Sequence, residues 1–133
     1  MKSIINMKIK RRESFRPFAP SVLEKFQTDW FNDSFTSPYM SSLAFVKEEK
    51  KKLIPAVTHV DGSARLQSVN FDSNPKFANL INAFYVLTNV PIILNTSFNE
   101  NEPIVCNIQE AYNCFYRTDM DILVLNNFIL LKK

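Results

Sequence analysis

Glycine is almost missing from this 133-residue chain, with Gly62 the only one. That excludes a Walker loop and a dinucleotide fingerprint, whose cradles need several glycines to bring backbone close to phosphate. An anion site here must use side chains. Histidine is also single, His59, and there are two cysteines, Cys106 and Cys114. One histidine and two cysteines make neither a four-ligand zinc set nor a disulfide framework, so both thiols read as reduced core residues. No apolar run approaches the ~20 residues needed to cross a bilayer. The amino terminus carries KIKRR where a signal peptide has its apolar core, so the expectation is a cytoplasmic protein with no membrane partner.

What is present is a globular composition, 46% hydrophobic and 22% charged, in a length that fits one domain. The net charge of +3 is unevenly spread. Lys2, Lys8, Lys10, Arg11, Arg12, Arg16 and Lys25 fall in the first 25 residues against Glu13 and Glu24, a local field that attracts an anion such as a nucleotide, a phosphate or nucleic acid. KEEKKK at 47–52 mixes both signs without apolar residues between and reads as a solvated turn.

Residues 5–12 alternate loosely, as a short strand would. Pro17 and Pro20 break the chain before Ser21, a suitable helix cap, and Leu23, Phe26 and Trp30 at helical spacing predict a helix over 21–31. YMSSLAFV (39–46) and AVTHV (56–60) read as strands on either side of the charged turn. DGS then links the second to ARLQSV (64–69) as a hairpin. The clearest helix covers 75–88: Asn74 caps it, Pro75 suits its first turn, Phe77, Leu80, Ile81 and Phe84 form its apolar face, and Asn89 suits its left-handed end. VPIIL is a short strand, and a second helix begins near Asn107 with Glu110 completing a capping box. DILVLNNFILLKK ends the chain as two strands about an Asn-Asn turn. This mixture indicates an α/β (α+β) sheet with helices packed on it.

IILNTSFNE (92–100) runs an apolar strand into Asn95, Thr96, Ser97 and Asn99, an ordinary turn or the lip of a binding site. Residues two apart in a strand share a face. An extended 8–12 therefore sets Lys8, Lys10 and Arg12 together, either as a solvated basic edge or as cations facing one anion. The same period groups Ser97 with Asn99 and turns Phe98 away, and either a self-satisfied loop or a pair of ligand-orienting groups answers to that spacing. His59, Asp61, Arg65 and Gln67 repeat it across the turn at Gly62. There a hairpin held by an Asp61 to Arg65 ion pair stands against a substrate-contacting cluster.

Five segments, KIKRRESFRPFAPSVL (8–23), IPAVTHVDGSARLQSV (54–69), VPIILNTSFN (90–99), EPIV (102–105) and DILVL (121–125), resemble in order the carboxyl-terminal domain of the NodU/CmcH/TobZ carbamoyltransferases. The resemblance spans nearly the entire chain. It implies a YrdC-like open twisted mixed sheet with a basic cavity, in which a Lys-x-Arg and Ser-x-Asn signature surrounds a nucleotide. Lys10-Arg11-Arg12 and Ser97-Phe98-Asn99 match that signature. It implies as catalytic residues Lys10, Arg12, Ser97 and Asn99, and adds Arg16, His59, Arg65, Asn95 and Thr96 as nucleotide or substrate contacts. The implied ligands are ATP, with magnesium accompanying it, and carbamoyl phosphate or carbamoyl adenylate. No metal site is implied in this chain. Metal belongs to a separate amino-terminal half that passes the carbamoyl group to a hydroxyl acceptor.

Three departures accompany the resemblance. Asn89 stands where the family has glycine, the turn between Asn99 and EPIV lacks its glycine and one residue, and the GPRALGNRSI segment expected before KIKRRE is missing. The expectation is thus a single domain, 1–133, incomplete at its amino terminus, without the metal-binding acceptor domain, and doubtful as a stand-alone catalyst. A nucleotide-binding module without turnover and an RNA-binding YrdC-like domain are the alternative functions.

Overall fold

A computed structural model describes residues 1–132, which divide into two compact units: Pro17–Thr96, and Met1–Arg16 together with Ser97–Lys133, whose final residue lies outside the described ones. Pro17–Thr96 is built on a four-stranded mixed sheet in the order β2-β3-β1-β4. Its strands are β1 (Ala19–Leu23), β2 (Ser42–Phe45), β3 (Ser63–Val69) and β4 (Ile92–Asn95). β1 runs parallel to β3 and antiparallel to β4, while β2 and β3 pair antiparallel.

Every residue of β1 is buried, and a strand covered on both faces has a continuous apolar pattern that periodicity cannot tell from a helix. That is why the helix expected over 21–31 is a strand as far as Leu23. Helical turns start only afterwards, as a 3₁₀ turn at Glu24–Phe26 and the short α2 (Gln27–Trp30). The expected strand at 56–60 is a run of turns, and β2 rather than that segment pairs with β3. Gly62, at φ 84°, allows the chain to reverse there, a conformation that residues bearing Cβ disfavour.

α3 (Pro75–Thr88) forms as its sequence predicts, with Asn74 accepting from the Phe77 amide at 3.3 Å and Asn89 closing it at φ 59°. Ala78 and Ile81 join Leu23 and Val69 in the core, with Phe77 partly buried against them. Leu80 and Phe84, expected on the same apolar face, are exposed, and the buried or half-buried positions are Phe77, Ala78, Ile81, Asn82 and Tyr85.

The other unit combines α1 (Lys2–Ile4), which continues into one wide π-helical turn (Ile5–Ile9), with α4 (Ile108–Arg117), β5 (Ile122–Leu125) and β6 (Phe128–Leu131). The strand expected over 5–12 is therefore helical to Ile9. Asn6 is wholly buried there and donates to the carbonyls of Ser14 and Arg16 at 3.2 and 2.8 Å, and these tertiary bonds outweigh a weak alternation. α4 carries the expected capping box: Asn107 accepts from the Glu110 amide at 2.9 Å, and the Glu110 carboxylate accepts from Asn107 Nδ2 and from the Cys106 amide at 2.7 and 2.8 Å. Its inner face buries Ala111, Cys114 and Phe115 near Leu123 of β5. Cys106, expected in the core, is exposed one residue before that cap. No helix among the described residues is long and apolar enough to cross a membrane.

Candidate functional site

Lys10 is the centre of the best-built polar cluster. It follows the wide turn, whose closing bond runs from its amide to the Ile5 carbonyl at 2.9 Å. Arg11 then takes a left-handed φ of 43°, which turns the chain back so that the Arg12 amide reaches the Asn6 carbonyl at 3.0 Å. The result leaves Lys10 only 3% exposed. Its three ammonium protons are shared among four oxygens: the carbonyl and hydroxyl of Ser97 at 2.8 and 3.1 Å, and the carbonyl and side-chain oxygen of Asn99 at 2.6 and 2.7 Å.

Ser97 and Asn99 lie on one side, as their spacing suggests, but by a turn beyond β4 rather than by strand alternation. Ser97 Oγ donates to Asn99 Oδ1 at 2.6 Å, and Asn99 Nδ2 donates to the Glu102 carbonyl at 2.7 Å. That last bond closes the shortened, glycine-free turn. All four acceptors around Lys10 are neutral, and among the described residues no carboxylate lies within ion-pair distance of it. The nearby acids pair outward instead: Glu100 with Arg11 at 3.1 Å, Glu102 with Arg117 at 2.6 Å, and Glu13 with Arg16 at 3.8 Å. The Glu102 charge acts on the ammonium only from beyond ion-pair distance. Burial first, and then the neighbouring Arg12 charge, hold the Lys10 ammonium below the usual lysine range.

Arg12 aims its Nε at Asn6 Oδ1, 2.7 Å away. Burial, followed by the charge of Arg16, lowers its pKa. Arg16 is exposed. Asn6 is the residue that sequence reasoning missed: it anchors residues 12, 14 and 16 at once, yet a lone asparagine in a run of Ile and Met carries no signal of it.

The remaining candidates lie in Pro17–Thr96. His59 and Asp61 meet at Ser63, whose hydroxyl donates to Asp61 at 2.7 Å and lies 3.0 Å from His59 Nδ1. The Ser63 backbone amide, then its hydroxyl, lower the Asp61 pKa. The alternative of an Asp61 to Arg65 ion pair is not formed, and Arg65 is exposed without a hydrogen bond or ion pair among the described residues. Gln67 leaves that group altogether. Its Oε1 accepts from Ser21 at 2.6 Å and from Asn95 at 2.7 Å, making a polar row across β3, β1 and β4. Thr96 is exposed.

Glu102 sets an acid limit on this unit. Its own backbone amide, with the Cys114 thiol and the amides of Glu100 and Asn101, holds its carboxyl down at about 2 against an ordinary 4.5, burial opposing them. A depressed carboxyl contributes stability that is complete above its unfolded value and lost as pH falls toward the folded one. A Glu102→Gln chain should therefore lose less stability than the parent between pH 4.5 and about 2. Denaturant midpoints across that range check it, and parallel curves would count against the assignment.

The family model described as "Carbamoyltransferase C-terminus" matches residues 1–132. The chain belongs to that family. It is 46% identical to sll1178 of Synechocystis, 45% to the nodulation protein NolO of Bradyrhizobium diazoefficiens, and 47% to the nodulation protein NolNO of Sinorhizobium fredii. Each similarity covers 99% of this chain but only 25, 25 and 20% of the relative. The chain thus spans a quarter or less of the length of these curated relatives, and corresponds to the carboxyl-terminal part of a carbamoyltransferase.

Proposed function

We propose that this chain is the nucleotide-handling part of an O-carbamoyltransferase and works with an amino-terminal half that carries the metal and the acceptor site. The observation that supports this is the Lys10 cluster: one buried ammonium, held by Ser97 and Asn99 through neutral oxygens only, with Arg12 and Arg16 following it in sequence. A buried ammonium followed in the chain by two guanidiniums suits a polyanion, and the triphosphate of ATP, with its magnesium, is the ligand whose chemistry benefits most. Water first cleaves carbamoyl phosphate to carbamate and inorganic phosphate; attack of a carbamate oxygen on the α-phosphate of ATP then forms carbamoyl adenylate and expels pyrophosphate. Negative charge grows on the phosphoryl oxygens during that step, so preorganised cations stabilise it better than a general base does.

In this reading Lys10 fixes the 97–99 turn and supplies charge, Arg12 meets phosphate and carbamoyl oxygens, Ser97 and Asn99 orient the adenylate, and Arg16 adds a weaker outer attraction. His59, Arg65, Asn95 and Thr96 are secondary contacts. ATP titration by calorimetry tests it: the parent chain binds, and Arg16→Gln, which removes an exposed charge without touching the core, weakens binding by roughly 3- to 10-fold. Adding the amino-terminal half of a relative together with carbamoyl phosphate should release AMP and pyrophosphate. Undetectable ATP affinity in the parent chain would overturn the reading, and binding without turnover in the completed enzyme would reduce it to a nucleotide-binding module.

A further inference from the structure

β5 and β6 form a hairpin about Asn126, which sits at a left-handed φ of 52°. The register pairs Ile122 with Leu131 and Val124 with Ile129. Partners across an antiparallel pair, and residues two apart along a strand, share a face, so these four side chains form one surface. They are 55, 67, 62 and 67% exposed, in that pairing order. The opposite face carries Leu123, which is buried, Leu130 and Leu125, which are partly so, and at its turn end Phe128, which is exposed.

A hairpin meant to keep one side in water alternates apolar with polar residues, whereas ILVL and FILL are apolar throughout, the pattern of strands covered on both sides. A two-stranded sheet is also marginal without a partner on its apolar faces. The open face amounts to roughly 400 Å², within the ~300–600 Å² of a typical monomer's largest apolar patch, which is often functional. That is about half of what each side of a standard interface buries, too little to hold two free copies of the chain together. It is sufficient as one part of a larger contact made at the high effective concentration of a covalent link. The relatives supply that link, since the matching region is a quarter or less of their length.

We propose that the outer face of the β5–β6 hairpin, formed by Ile122, Val124, Ile129 and Leu131, is a surface on which the amino-terminal part of a carbamoyltransferase seats an apolar patch of its own. The proposal rests on the two-part reading above. It predicts an asymmetry between two forms of the protein: the free chain, and full-length sll1178 with its matching region replaced by this chain.

In the free chain, amides of 122–131 exchange quickly and the Val124→Lys/Ile129→Glu variant, whose opposite charges face each other across the strand pair, melts within ~2 °C of the parent. In the full-length form these amides are protected at least tenfold more, and the same variant melts well below its parent. A Val124→Thr/Ile129→Thr variant, which keeps β-branched side chains, separates loss of apolar contact from loss of the strand and should give the same asymmetry in smaller measure. Equal destabilisation of both forms overturns the proposal by showing that the face is covered within this chain. Equal exchange in both forms overturns it as well, and so does a concentration-dependent dimer of the free chain that the charged variant abolishes, which would assign the face to a second copy. ATP titration of the same proteins separates the two claims. ATP binding without hairpin protection removes only the docking surface, and protection without ATP binding removes only the nucleotide reading.

Discussion

A Lys10→Met chain should unfold about 2–4 kcal/mol more easily than the parent, a fall of roughly 10 °C in its melting midpoint. The ammonium carries the cost of burial, visible as its lowered pKa, and offsets it by donating into Ser97 and Asn99. Methionine has similar length and removes both the cost and the donors. It leaves the Ser97 and Asn99 carbonyls facing an apolar side chain, and an unpaired acceptor removed from water costs more than its hydrogen bond contributed. Turn 97–99 should loosen in consequence, so ATP affinity falls together with stability. An unchanged midpoint would mean that these bonds do not form in solution.

A pH series adds a signed test of the same ammonium. Its folded pKa lies below the ordinary 10.5, so on raising the pH the native chain releases this proton before the unfolded chain does. The unfolded state then holds more protons, and stability rises with pH in the window just under 10.5. The parent should therefore gain on Lys10→Met across that window, and a parent that loses ground there contradicts the burial.

Asn6→Leu is expected to cost about 2–3 kcal/mol and to weaken ATP binding although Asn6 is assigned no contact with the nucleotide. The side chain is wholly buried, donates to the Ser14 and Arg16 carbonyls and accepts from Arg12 Nε. Leucine fills the space and satisfies none of them, so residues 11–16 should exchange their amides faster. Asn6→Asp separates positioning from charge. It keeps the acceptor for Arg12, loses the two donations and sets a carboxylate beside the cations. Stability should fall about as far as in Asn6→Leu, because a buried carboxylate oxygen then faces the Ser14 and Arg16 carbonyls, and ATP affinity should fall further because the added negative charge opposes a phosphate. If both variants bind ATP like the parent, Asn6 has no part in holding Arg12 for a ligand.

Much of the architecture is legible where local chemistry and packing agree. Asn74, Pro75 and Asn89 delimit α3, Asn107 and Glu110 start α4, and the Asn126–Asn127 turn joins two apolar strands. In each case the residues that stop or start the element are its own neighbours. The misses share a different cause. Ser21–Leu23, the end of β1, reads as the start of a helix because burial on both faces erases the period of two. AVTHV reads as a strand although its β-prone residues are used in turns that place His59, Asp61 and Ser63 in one hydrogen-bonded knot.

The candidate site divides along the same line. Membership of the carbamoyltransferase family, the amino acids of the Lys-x-Arg and Ser-x-Asn segments, and the lack of any glycine cradle are properties of the string alone, since they depend only on which side chains occur and in what order. Which of those side chains meet is not, because Lys10 and Asn99 are separated by 89 positions and no local rule brings them together. Only the folded chain bends residues 5–12 through a wide turn rather than a strand, buries Lys10 against four neutral oxygens, gives Asn6 its anchoring task and leaves one face of the last hairpin open. The burial of Lys10 is decided by hydrogen bonds across 87 and 89 positions, and the wide turn and the Asn6 anchor by bonds 5 to 10 positions apart, all beyond the local preferences that a linear pattern records.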